Sequence, residues 1–173
     1  MALRDRFFEN QESEDTMKIR HLAFAAASAA LLVAATAGAS DPKQYPGITC
    51  KHVSGGTYSV QAGTVYNAGS GFMNLTCPLV KDGSSIASAT AKVFDRNTGK
   101  TFSCTLNAES ASGDFFTGTS ETKTTPAGWG GSEVKSLSFG AQAAQDYYYM
   151  TCKVPQVTSG LFSHMGSIEI KEN

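Results

Sequence analysis

The chain is short of the residues that carry most protein chemistry. Charged residues make up 17% of it and the net charge is −1. No run of lysine or arginine occurs, so the electrostatic footprint of a phosphate-backbone binder is missing and nucleic acid is not an expected partner. No C-x-x-C pair occurs, which argues against a zinc site. Neither H-E-x-x-H nor G-x-S-x-G is present. The glycine pairs at Gly69-Ser70-Gly71 and Gly130-Gly131 lack the lysine and the helix start with which phosphate loops work. No apolar run reaches the roughly 20 residues that span a bilayer. Together these absences leave no implied cofactor and no catalytic residue to name.

The one greasy segment lies near the start. Residues 17–39 read as a basic opening with Lys18, Arg20 and His21, an apolar run over 22–35, and the small-residue triplet Ala37-Gly38-Ala39. That order is the mark of an export signal. Residues 1–16 carry Asp5, Glu9, Glu12, Glu14 and Asp15, which do not suit a signal's basic opening. They read as a dubious or disordered head, with Met17 the better start. No cysteine follows the cleavage site, so no lipid anchor is expected. The remaining 40–173 is one domain's length, balanced at ten basic and ten acidic residues. After cleavage it is not expected to span a membrane.

This part is rich in Ser, Thr and Gly, which favours strands and turns over helices. All four cysteines fall within it, and an even number in an exported chain implies two disulfides. Their surroundings are alike: Ile48-Thr49-Cys50, Leu75-Thr76-Cys77-Pro78-Leu79, Phe102-Ser103-Cys104-Thr105-Leu106 and Met150-Thr151-Cys152-Lys153-Val154. A period of two turns each cysteine and its apolar neighbours to one face of a strand and Ser or Thr to the other. Three pairings are open to four cysteines. We favour Cys50 with Cys77, which closes a short N-terminal loop, and Cys104 with Cys152, which ties the middle of the chain to a late strand.

About nine strands are expected, over 48–53, 58–66, 72–79, 88–94, 100–108, 115–121, 134–139, 147–154 and 167–171. The segments 88–94 and 100–108 form the clearest hairpin, around the polar loop Asp95-Arg96-Asn97-Thr98-Gly99. Turn signals every eight to twelve residues, without a helix, point to an all-β, two-sheet β-sandwich of the Greek-key or jelly-roll kind.

Several segments carry a resemblance. Cys77-Pro78-Leu79-Val80-Lys81-Asp82, Val93-Phe94-Asp95-Arg96-Asn97, Ser103-Cys104-Thr105-Leu106, Ser136-Leu137-Ser138-Phe139-Gly140 and Tyr147-Tyr148-Tyr149-Met150-Thr151-Cys152-Lys153-Val154-Pro155 resemble a group of small exported bacterial β-rich proteins of unknown function. The likeness runs over most of 40–173. It implies export, four cysteines and a β architecture, and brings no catalytic residue with it. The final segment around Met165-Gly166-Ser167-Ile168 departs from the Tyr- and Val-rich ending of that group.

The candidates for binding are aromatic. Trp129 is flanked by glycines, and Tyr147 and Tyr149 lie on the opposite face of their strand from Tyr148, Met150 and Cys152. Exposed flat rings suit a sugar face or a protein partner. Asp95 and Asn97 in one loop and Asp82 in another are weak calcium candidates; Asp and Asn also cap turns through their own backbone. His52 reads as a half-buried structural residue and His164 as a loop residue. The expected function is a secreted or periplasmic, non-enzymatic binding protein for a glycan or an envelope protein. A protein-binding inhibitor or surface component is the first alternative. A small hydrolase using two of Glu109, Asp114, Glu121, Glu133 and Asp146 is the second. The export reading makes a direct prediction: mass spectrometry of the exported protein finds Ser40 at the N-terminus, whereas a mature chain retaining 22–35 would contradict it.

Overall fold

A computed structural model describes residues 42–110 and 118–173. The expected head and export signal, Asp114 and residues 115–117 of one expected strand lie outside the described residues. Among the described residues eleven strands, numbered β1 to β11 in chain order, form two antiparallel sheets. Sheet one has the order β3 (Tyr58–Gln61), β4 (Thr64–Asn67), β11 (His164–Glu172), β6 (Ile86–Phe94) and β9 (Lys135–Phe139), and β1 (Lys43–Pro46) also pairs with β11. Sheet two has the order β2 (Lys51–Gly55), β5 (Met73–Leu79), β10 (Tyr147–Val154), β7 (Ser103–Glu109) and β8 (Thr119–Thr124). The chain changes sheet at almost every connection, in the jelly-roll manner. Among the described residues, consecutive strands pair with each other only in β3 with β4 and β7 with β8. No helix among the described residues is long and apolar enough to cross a membrane.

Alternation builds the core. On β5, Met73, Leu75, Cys77 and Leu79 are buried; on β10, Tyr148, Met150, Cys152 and Val154 are. From sheet one, Ala89, Ala91 and Val93 of β6 and Met165, Ile168 and Ile170 of β11 meet them in one apolar cluster. The disulfides are Cys50–Cys77 and Cys104–Cys152, the favoured pairing. Both lie within sheet two. Cys104 and Cys152 are register partners on β7 and β10, and Cys50 directly precedes Lys51, the partner of Thr76. Their Cα atoms stand 4.0 and 4.1 Å apart, a little closer than the usual span of about 4.4–6.8 Å.

Four expectations are corrected. The segment 58–66 is a hairpin, not one strand, because Ala62 and Gly63 both take positive φ (50° and 80°) and make a two-residue turn. The first expected strand begins instead as a short 3-10 turn over Gly47–Thr49, and His52 in β2 is exposed rather than half-buried. The hairpin of 88–94 with 100–108 does not form. β6 pairs with β11 and β9, while β7 pairs with β10 and β8, so the polar loop between them crosses from one sheet to the other.

The reason is the direction in which the loop's side chains point. Asp95 is fully buried. One of its oxygens accepts from the backbone N–H of Asn97 at 3.1 Å and the hydroxyl of Ser163 at 3.3 Å. The other accepts from the N–H of Phe102 at 2.9 Å and the hydroxyl of Thr125. The carboxylate thus joins the ends of β6 and β8 to the starts of β7 and β11. At the same end, buried Asn67 accepts from the N–H groups of Thr57 and Gly69 and donates to the carbonyls of Gly71, Val154 and Pro155. The far end is held differently. Lys43 pairs with Glu172 at 2.9 Å and with Asp82 at 2.8 Å. Burial works to raise the Glu172 carboxyl, but hydrogen bonds from Lys43, Gly83 and Asp82 outweigh it and hold the group below the usual carboxylate range.

Losing the Asp95 carboxylate strands several buried donors, each costing about 1–3 kcal/mol. Asp95→Ala is therefore expected to cost on the order of 3–5 kcal/mol and to lower the melting temperature by roughly 10–20 °C. Calorimetry checks this, and a fall of no more than about 3 °C would contradict the role given to Asp95.

Candidate functional site

Because cysteines face inward on sheet two, their Ser and Thr neighbours face outward. The register lines them up. Thr151 lies opposite Thr76 on one side and Thr105 on the other, and Thr105 lies opposite Thr122. Four threonines from β5, β10, β7 and β8 thus form one row across the strands. At about 4.8 Å per strand the row is roughly 14 Å long. Thr105 and Thr122 share a hydroxyl hydrogen bond of 2.8 Å.

The flanking rows on this outer face are also polar. On one side Asn74, Lys153, Ser103 and Thr124 stand in register. Lys153 lies over the ring of Phe72, 4.4 Å from its centroid. On the other side are Pro78, Tyr149, Asn107 and Ser120. Asn107 donates to the carbonyl of Thr105 at 3.1 Å and to the hydroxyl of Thr151 at 3.4 Å. A depression of about 290 Å³ opens over the middle of the face, between Val53, Asn74, Thr76, Ser103, Thr105, Thr151 and Lys153. Its floor offers hydroxyls, which both donate and accept.

Tyr147 and Tyr149 stand at one end of this face. Tyr147 is 50% exposed and lies opposite Glu109 in register. Tyr149 donates its hydroxyl hydrogen bond to the Glu109 carboxylate. That hydrogen bond first, then burial and the negative charge, push the phenol up to about 12. Tyr149 therefore keeps its proton at neutral pH, and its ring is fixed at the edge of the threonine floor.

Trp129 is not part of this face. It follows the end of β8 where Thr125 meets Asp95, whereas Tyr147 begins β10 beside Glu109, at the opposite end of sheet two. Its backbone N–H donates to the carbonyl of Pro126 at 3.2 Å, while its indole N–H is buried without an acceptor among the described residues. Its ring is half-buried under Lys135, whose ammonium lies 3.5 Å from the centroid. A Cβ at Gly131 would come within 2.7 Å of that ring, so the neighbouring glycine is what lets the indole fold back on its own loop. The structure brings Tyr147 and Tyr149 together and leaves Trp129 apart.

The acidic candidates are also dispersed. Asp82 sits with Lys43 and Glu172 before β6, while Asp95 and Asn97 sit after it, at the other end of the sandwich. Both Asp95 oxygens are already committed to protein donors, and the Asn97 side chain bridges the N–H of Gly99 and the carbonyl of Gln156. Among the described residues no group of three or more His, Cys, Asp or Glu is gathered to hold a metal ion. Glu109 is engaged by Tyr149 on the outer face. Glu121, opposite the buried Leu106, turns toward the inner face. It pairs with Lys123 at 2.7 Å and accepts from Gly140 at 2.8 Å, and the Lys123 hydrogen bond leads in holding its carboxyl below the usual range. Glu133 lies in the exposed loop before β9, and the Asp146 N–H donates to the Glu109 carbonyl.

Sequence reasoning missed the threonine row as a feature. Its signal was present, since Thr76, Thr105 and Thr151 each adjoin a cysteine. Seeing the row requires knowing which cysteines pair and on which strands.

No protein-family model and no curated protein matches the chain. Among solved structures, an exo-β-1,3-galactanase from Phanerochaete chrysosporium with galactose superposes over 77% of this chain, at 14% identity and a TM-score of 0.48. This chain spans 30% of that protein's length. A low-affinity xylan-binding module from Roseburia intestinalis superposes over 75% of this chain and 94% of its own length, at 13% identity and a TM-score of 0.45. A CBM4 structure does so over 79% and 86%, at 9% identity and a TM-score of 0.34.

Proposed function

We propose that this chain is a secreted or periplasmic, non-catalytic glycan-binding protein whose ligand lies across the outer face of sheet two. The observation that carries the reading is the row Thr76, Thr151, Thr105, Thr122, flanked by Asn74 and Asn107 and ended by Tyr149. Hydroxyls and amides in a shallow depression can exchange hydrogen bonds with a polymer that is itself a row of hydroxyls. A tyrosine at its edge adds a flat face for the carbon side of a sugar ring. The strands hold the groups in place before any ligand arrives, which keeps the ordering cost of binding small.

The chemistry of the face favours recognition over catalysis. Of the carboxylates considered for hydrolysis, Glu109 is engaged with Tyr149 and Glu121 with Lys123, and the two turn to opposite faces of their sheet. The export segment and the two disulfides support a location outside the cytoplasm, as does the resemblance to small exported bacterial proteins.

The test is a glycan array of neutral polysaccharides, followed by calorimetric titration of the best ligand. Thr151→Val removes one hydroxyl from the centre of the row and is expected to weaken binding about five- to tenfold, near 1 kcal/mol, with stability little changed. Tyr149→Ala should weaken it further, and Trp129→Ala should leave it unchanged. An array without any neutral ligand, or a ligand indifferent to Thr151 and Tyr149, would sink this reading.

A further inference from the structure

The outer face of sheet one carries a second cluster, built from residues absent from the face just described. His164 lies opposite Tyr66 on β4 and Phe94 on β6. The Tyr66 and His164 ring centroids are 5.4 Å apart, those of Phe94 and His164 5.9 Å, and Phe162 packs edge-on against Tyr66 at 5.1 Å. The expected loop residue His164 is thus the first residue of a strand and the middle of an aromatic row.

Two cations flank this row. Along β6 and just past its end, the outward positions read Lys92, Phe94, Arg96, so each cation is about 7 Å along the chain from the ring. The Arg96 backbone N–H donates to the Ser163 hydroxyl at 3.0 Å. Its guanidinium pairs with no acid among the described residues, where the ion pairs use Lys43 and Lys123. Its Nε is shielded from solvent and meets no acceptor. Burial, and then the charge of Arg96, lower the His164 imidazole from its ordinary value. His164 is therefore neutral at pH 7 and contributes a flat ring there. Glu169, the acid on this side of β11, stands opposite Thr90, away from the aromatic row.

A guanidinium without an ion-pair partner among the described residues, two residues along the chain from Phe94, has a definite complement. It is a ring with an apolar face to stack and a carboxylate to meet the planar fork of nitrogens. We propose that the outer face of sheet one, through Tyr66, Phe94 and Arg96, binds a carboxylate-bearing sugar of an acidic polysaccharide, separately from the face of sheet two. Lys92 lies one strand repeat further on and can meet the acid of a neighbouring sugar.

The experiment compares an oligogalacturonate with its methyl ester, which keeps the backbone and removes the charge. Titration calorimetry of the mature protein is expected to show the acid bound at least ~10-fold more tightly than the ester. Arg96→Gln and Tyr66→Ala should each weaken the acid by roughly tenfold or more. Arg96→Lys should recover part of the Arg96→Gln loss, because it keeps the charge and loses the fork. Thermal melts confirm that each variant is folded. Thr151→Val on the opposite sheet should have no effect, so failure here and failure of the sheet-two reading are read separately. Equal binding of acid and ester, unchanged binding in Arg96→Gln, or no binding of the acid at millimolar concentration would overturn the proposal.

Discussion

The constraint on which most of the structure depends is the register between β7 and β10. The Cys104–Cys152 bridge joins residues that face each other directly. In an antiparallel pair this fixes every other partner along both strands. A slip of one residue would turn every side chain to the wrong face. With the bridge in place, Leu106 and Met150 meet in the core while Thr105 and Thr151 meet outside. Cys50–Cys77 acts in the same way at the other side of sheet two, and the hydrogen-bonded pairing of β5 with β10 joins the two locked pairs. One sheet is therefore covalently pinned, and its outer face inherits an order that polar side chains would not impose on their own.

Sheet one has no disulfide, and neither bridge crosses between the sheets. That task falls to the apolar core and to Asx side chains at one end. Asp95 gathers Asn97, Phe102, Thr125 and Ser163, and Asn67 gathers the turns after β2 and β4 and the end of β10. Buried polar groups of this kind cost much when unpaired and specify one arrangement when fully paired. They also explain why the aromatic row centred on His164 sits where it does. Ser163 turns in to Asp95, so His164, one residue on, turns out.

The sandwich was legible because it rests on local patterns. Period-two alternation around the cysteines placed β5, β7 and β10 and their inward residues closely, whereas the sequence left three cysteine pairings open, of which the favoured one is the pairing found. The crossing of the 95–102 loop was not legible. Asp95 and Asn97 look like ordinary turn residues until their side chains are seen to point inward, a tertiary fact that no local pattern carries. The same holds for 58–66, where Ala62 adopts a conformation seldom taken by alanine. Of the aromatic candidates, Tyr147 and Tyr149 followed from strand parity. Trp129 did not, since a glycine-flanked ring can turn either way, and here it folds back over Gly131 and under Lys135. Tyr66, Phe94 and His164 lie far apart in sequence and become one row only through β11.

The molecule thus presents two outer faces of different chemistry, one hydroxylated and close to neutral, the other aromatic and cationic. The account stands or falls on the first, and the direct measurement is an amide-resolved NMR titration of the mature protein with a neutral oligosaccharide chosen on the array. Perturbations are expected to concentrate at Thr76, Thr105, Thr122, Thr151 and Tyr149, on four adjacent strands and one face. Perturbations centred instead on the loop from Trp129 to Lys135, or scattered without regard to face, would contradict it.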